Sequence, residues 1–240
     1  MLSKSMARAT ALLLVLFTSS SCARVLPWRN EPIGEEVNFA FVLRDNLVEL
    51  ESLRIDNQQG RFLLGTAAPV TVVDPSFPLL PGRTHTINLA SKQSVRITPQ
   101  RVAMGGVADG IIGADTWRRA AVTIDYRSGL VTYQKSGIHP AQMTLYRFSG
   151  APAIAVGVDG REVQAIVDTT SPDTMVLPRA TAGRGTVSLV IASIDFGPVD
   201  VQYAPVTQAR IGNRLLSRFL VTVDYGRGVV GLWRDPRIPQ

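Results

Sequence analysis

Apolar and polar positions along this chain fall into short runs, with no long helical stripe. Val, Ile, Leu and Thr dominate segments of four to eight residues, and clusters of Gly, Pro, Asn and Asp break them. That is the pattern of β-strands joined by turns. Residues 153–158 (AIAVGV) and 162–167 (EVQAIV) flank Asp159-Gly160, which predicts a tight hairpin because Gly accepts positive φ. Residues 56–60 (DNQQG) predict an equivalent but looser turn earlier in the chain. Leu63-Leu64 and Ala165-Ile166-Val167 are uninterrupted apolar stretches, suited to strands covered on both faces. Residues 116–121 and 215–220 each predict one or two helical turns. The expected class is all-β.

The same pattern is written twice. Leu53 to Val73 reads LRIDNQQGRFLLGTAAPVTVV, and Val156 to Val176, 103 residues later, reads VGVDGREVQAIVDTTSPDTMV. Asp56 aligns with Asp159, Thr66 with Thr169, Pro69 with Pro172 and Thr71 with Thr174, without a gap. A second block repeats at an offset of 99: Ile112 to Tyr133 (IGADTWRRAAVTIDYRSGLVTY) and Ile211 to Leu232 (IGNRLLSRFLVTVDYGRGVVGL). Two blocks in one order at nearly one spacing define an internal duplication, with the copies joined near Ser136–Pro140.

An apolar strand ending in Asp-Thr-x-Ser/Ala-Pro, followed later by an apolar-apolar-Gly segment, resembles the retropepsin-like and pepsin-like aspartic peptidases. The resemblance covers residues 36–240. It implies two pseudo-symmetric β-barrel lobes, 36–137 and 138–240, with a cleft between them, and a lid hairpin over that cleft, for which residues 83–104 are the candidate. In such enzymes two aspartates, one per lobe, share a proton and activate water. Asp168 matches the aspartate of the second lobe. Thr170 replaces the glycine two positions on and is expected to crowd the loop. Gly65 stands where the first-lobe aspartate belongs, and Ala67 replaces the second glycine. The cleft loops are thus Gly65, Thr66, Ala67 and Asp168, Thr169, Thr170, with Thr66 and Thr169 expected to bond to each other. Asp74, Asp109, Asp115, Asp125 and Asp224 lack the spacing to replace the missing carboxylate.

Before the duplicated part, Lys4 and Arg8 precede the apolar run Ala11–Phe17, then Thr18-Ser19-Ser20-Ser21-Cys22. A charged start, a short apolar core and small residues form an export signal; seven apolar residues are too few to span a bilayer. The position of the only Cys resembles a bacterial lipobox, departing from it at Ser19. The reading is a lipoprotein signal peptide over 1–21, lipid attachment at Cys22, a tether over 22–35, and a place in the bacterial cell envelope, lipid-anchored to a membrane.

Composition narrows the chemistry. Hydrophobic residues at 45% against charged residues at 18% exclude a disordered chain. One Cys and two His exclude an intramolecular disulfide and a zinc site built from four Cys and His ligands, and no metal or cofactor is expected. The net charge of +6 comes from 22 Arg against 3 Lys. The Arg residues are scattered singly, apart from Arg118-Arg119, so nucleic acid is not the expected partner.

Three functions fit. The first is a membrane-anchored, catalytically inactive aspartic-peptidase-like protein whose cleft takes a peptide or protein ligand. The second is an active aspartic endopeptidase using Asp168, paired with the Asp168 of a second copy in a homodimer. The third is a structural envelope lipoprotein.

Overall fold

Strands form where the β-branched runs predict them, in a computed structural model that describes residues 36–90, 93–134 and 143–234. The expected export signal, Cys22, the expected tether and the expected junction between the two copies lie outside the described residues. The first copy contributes β1 (Val37–Arg44), β2 (Leu47–Leu50), β3 (Arg54–Ile55), β4 (Gln58–Gln59), β5 (Phe62–Leu64), β6 (Val72–Val73), β7 (His85–Ala90), β8 (Gln93–Ile97), β9 (Gln100–Arg101) and β10 (Gly110–Ile112). The one-turn helix α1 (Ala114–Trp117), β11 (Ala121–Asp125) and β12 (Leu130–Gln134) complete it. The second contributes β13 (Thr144–Arg147), β14 (Ala153–Val158), β15 (Arg161–Val167), β16 (Met175–Pro178), β17 (Gly183–Ile191), β18 (Ile194–Ala204) and β19 (Ala209–Ile211). It ends with α2 (Asn213–Leu216), β20 (Leu220–Asp224) and β21 (Val229–Trp233). The fold is all-β.

The β14–β15 hairpin turns through Asp159 (φ 48°) and Gly160 (φ 75°) as its sequence predicts. The earlier turn is not looser. Asp56 (φ 49°) and Asn57 (φ 66°) make a two-residue turn between β3 and β4, because short polar side chains tolerate the left-handed region. Each Asp also pins its turn to the strand that pairs beside the hairpin, β7 in the first copy and β17 in the second. The Asp56 carboxylate accepts from the Thr86 N–H at 2.7 Å, and that of Asp159 from the Ser188 N–H at 2.8 Å.

In the second copy, strands β14-β15-β19-β16-β18-β17 close into a barrel, sealed where β14 pairs with β17. Val187, Leu189 and Ile191 point inward at every second position of β17, the period of a strand with one face in the core. The first copy departs from the expected second barrel: its described strands divide between two open sheets. At the 103-residue offset β14 corresponds to residues 50–55, which Ser52, at φ 61°, breaks into β2 and β3. β15 corresponds to residues 58–64, broken between β4 and β5 at Gly60-Arg61. There Phe62 and Phe77 pack edge to face at 5.2 Å, and a Cβ on Gly60 would meet the two rings at 2.9 and 2.8 Å. As a result β4-β3-β7-β8 form their own sheet, while β2 and β5 join an eleven-stranded one.

That long sheet crosses from one copy to the other through β11 and β20, which pair antiparallel with Thr123 opposite Thr222. The two hydroxyls lie 2.8 Å apart. Residues 83–104, the candidate lid, hold β7, β8 and β9. The β7–β8 hairpin pairs with β3 and buries His85, Ile87, Leu89 and Ile97, which makes it a wall of the core. Both helical turns start two residues earlier than predicted, just after Gly113 and Gly212. A Cβ at Gly113 would lie 2.4 Å from the Val70 carbonyl, and one at Gly212 2.5 Å from that of Ser171. The loops after Thr66 and Thr169 cross over these glycines.

Candidate functional site

Two parallel strand pairs present the loops that the sequence singles out. β5 runs parallel to β10 with Leu64 opposite Ile112, and β15 parallel to β19 with Val167 opposite Ile211. The last bond of each pair leads into the loop: Gly65 N–H donates to Ile112, and Asp168 N–H to Ile211, both at 2.9 Å. Thr66 and Thr169 then meet, both fully buried. The Thr66 hydroxyl donates to the Val167 carbonyl at 2.7 Å, and the Thr169 hydroxyl to the Leu64 carbonyl. The Thr66 N–H donates to Thr169 Oγ1 at 3.0 Å and the Thr169 N–H to Thr66 Oγ1 at 3.1 Å. Exchanging each residue for the one 103 positions away in the other copy turns each bond into its counterpart. The expected threonine pairing is present, and it places Gly65 and Asp168 next to each other's loops.

Asp168 is buried, at 1% exposure. Its Oδ1 accepts from the Thr170 N–H at 2.9 Å and from the Thr170 hydroxyl at 2.6 Å. Thr170, expected to crowd the loop, instead holds the carboxylate. Oδ2 accepts from Arg210 Nη1 at 2.7 Å, with the Arg210 side chain 42% exposed. Charge-assisted bonds of this length are the strong kind. Arg210 was not among the residues singled out from the sequence. Its signal was there: it is a lone cation directly before the Ile211–Leu232 block, between Ala209 and Ile211, where the first copy has Ile111.

The opposite position is filled by carbon. A Cβ built on Gly65 would lie 2.3 Å from Ile111 Cγ2 and 3.0 Å from the Ala68 Cβ. Ile111 therefore occupies the space that a side chain at residue 65 would enter. Ala67 is half-buried beside it. The arrangement holds one buried carboxylate paired with a guanidinium in the second copy, and an aliphatic side chain packed on Gly65 at the equivalent place in the first.

The loop carbonyls are capped as well. Tyr225 OH donates to the Thr66 carbonyl at 2.8 Å. Asn213 Nδ2 donates to the Thr169 carbonyl at 2.7 Å, while its Oδ1 accepts from Tyr126 OH at 2.8 Å. Burial pushes both phenols far above the usual tyrosine range, and the nearby Asp168 charge adds to the shift at Tyr225. Both tyrosines therefore stay protonated and donate these bonds.

The other carboxylates serve turns. Asp115 accepts from the Thr71 N–H and hydroxyl, each at 2.8 Å. Asp109 accepts from the Arg61 N–H, Asp125 from Arg127 N–H and Asp224 from Arg227 N–H. The Ser76 hydroxyl, then the Met104 and Ser76 N–H groups, hold the Asp74 carboxyl below its usual value. Among the described residues, no three His, Cys, Asp or Glu side chains gather as a metal site, and no helix is long and apolar enough to cross a membrane.

A groove of about 500 Å³ opens beside the Thr66 loop. Ala67, Pro69 and Arg118 line it from the first copy, and Phe148, Pro152 and Tyr225 from the second. No protein-family model and no curated protein matches the sequence, so the functional reading rests on residues and geometry.

Proposed function

We propose that this chain is a catalytically inactive protein of the aspartic-peptidase fold. In this reading two pseudo-symmetric lobes, 36–137 and 138–240, meet at the paired threonines, and the protein is tethered to a membrane of the cell envelope through a lipid on Cys22. The observation that carries it is the pairing of Asp168 with Arg210, together with Ile111 in the space that a side chain at Gly65 would enter. Hydrolysis by this fold needs two carboxylates sharing a proton over one water molecule. Here both oxygens of the Asp168 carboxylate already accept hydrogen bonds, one of them from a permanent cation. The second position offers no group to accept or donate.

A homodimeric enzyme fits less well. Joining two Asp168 loops requires each Thr169 to bond to its counterpart in the second copy, and Thr169 is already bonded to Thr66 of its own chain. A purely structural role leaves unexplained the groove that both copies line. Its apolar walls and few polar groups suit an extended peptide, held without cleavage.

The test is binding. A fluorescein-labelled unfolded polypeptide should bind the purified chain and remain intact. Ala67→Trp, which fills the groove, should abolish the anisotropy signal. Undiminished binding by that variant would show that the ligand goes elsewhere.

A further inference from the structure

We infer that the groove between β8 and α1 is a docking site for an extended acidic segment of a partner protein, which adds a strand to the open edge of β8. This site adjoins the groove at the threonine-linked loops, with Arg118 lining both, and does not depend on the reading given above for them.

The groove encloses about 600 Å³ and is lined by Val70, Val95, Arg96, Arg118, Arg119 and Tyr133, among others. Its three arginines are exposed, and among the described residues none of them pairs with a carboxylate. The one acid lining the groove, Asp115, spends its Oδ1 on Thr71 and on the Thr116 N–H. A concave surface with one acid against three guanidinium groups attracts negative charge. The corresponding groove of the second copy differs: there Arg184 and Arg214 share the walls with Asp173 and Asp200, so cations and acids are equal in number.

The backbone adds the second element. Among the described residues, β8 is the last strand of its sheet. Thr86 on β7 faces β3, since its carbonyl accepts from Asp56 N–H and its N–H donates to the Asp56 carboxylate. Adjacent residues of a strand turn their backbone groups to opposite sides. His85 and Ile87 therefore face β8, where they stand opposite Ile97 and Val95. Ser94 and Arg96 in turn direct their N–H and C=O groups to the open side. Such an edge is a template for an added strand.

An extended peptide places alternate side chains on one face. Acidic residues at every second position would meet the arginines, and apolar ones between them would meet Val70, Val95 and Tyr133. A lipid surface is disfavoured because these apolar groups line a hollow, whereas a bilayer engages apolar groups that project.

The test uses the full chain and a labelled, blocked hexapeptide of alternating Glu and Val. Three comparisons are made: the same peptide with Lys for Glu, the same with a central Val replaced by Pro, and the protein variant Arg96→Gln/Arg118→Gln/Arg119→Gln. Its three side chains are exposed, and far-UV circular dichroism checks its fold. Wild type should bind the acidic peptide and shift the Arg96 amide resonance. The Lys peptide should not bind. The Pro peptide and the triple variant should each weaken binding at least about tenfold, the first through lost strand pairing and the second through lost charge. Absence of binding to wild type would overturn the proposal, as would unchanged affinity in the triple variant. Equal affinity for the Pro peptide, or full competition by anionic lipid vesicles, would reduce the groove to a nonspecific charged surface and overturn it too.

Discussion

Arg210 donates to Asp168 at 2.7 Å from the position that Ile111 holds in the first copy. The second copy thus holds an ion pair where the first has Gly65 and Ile111. Removing one partner of a buried pair leaves a charge uncompensated and is costly. Arg210 is 42% exposed, so solvent screens part of that cost. Arg210→Met is expected to destabilise the fold by about 1–3 kcal/mol at neutral pH. A double-mutant cycle with Asp168→Asn, followed by urea unfolding, should give a coupling of about 1 kcal/mol or more. Simple additivity would show that the two groups do not depend on each other.

The paired threonines should act as one unit. Thr169→Val keeps the volume but leaves the Leu64 carbonyl and the Thr66 N–H without their partners. A loss of about 2–4 kcal/mol is expected, because unpaired buried polar groups keep their desolvation cost. Thr66→Val should cost a similar amount, and the double variant clearly less than the sum. A full sum in calorimetric unfolding would mean that the loops are held independently.

Gly65 is fixed by its neighbour, not by its backbone angle. Gly65→Ala should destabilise by about 1–3 kcal/mol, the usual range for overpacking. Ile111→Ala in the same chain should recover most of the loss. Restoring a carboxylate at residue 65 therefore needs a smaller residue at 111, in addition to glycines at Ala67 and Thr170. Tolerance of Gly65→Ala alone would show that Ile111 moves aside at little cost.

His85 Nδ1 lies 2.5 Å from Asp56 Oδ2, and its Nε2 faces the Leu80 carbonyl. The bond from His85, then that from the Thr86 N–H, holds the Asp56 carboxyl below its ordinary value of 3.8. A carboxyl lowered in the folded state adds stability that is fully present above the unfolded value and is lost as pH falls through the folded one. Asp56→Asn, which tolerates the positive φ of this turn, should therefore be less stable than wild type at pH 7. The gap should narrow below about pH 3.8. A gap that stays constant down to pH 2 would dissociate the turn from this ionisation.

Much of this was readable from residue order. The duplication, the Asp159-Gly160 hairpin and the Thr66–Thr169 partnership follow from spacing, because bonds that repeat every 103 residues demand repeated side chains. The broken strands of the first copy were not readable. Nothing in the apolar pattern distinguishes Ser52 from a residue in extended backbone, and the pressure of Phe77 on Gly60 comes from a loop 17 residues away. The role of Thr170 was inverted for a related reason. A side chain in place of glycine looks like crowding until its hydroxyl is seen on Asp168. Arg210 lies 42 residues from its partner, and only the register of β15 on β19 brings the two together.

The central claim is that Asp168 no longer performs hydrolysis, and proteolysis tests it most directly. The purified protein and its Asp168→Asn variant should be incubated with an unfolded protein substrate from about pH 3 to pH 7, roughly the range in which carboxyl pairs work, and new amino termini counted. The account predicts no release above background for either protein at any pH. Turnover by wild type that disappears in Asp168→Asn would contradict it.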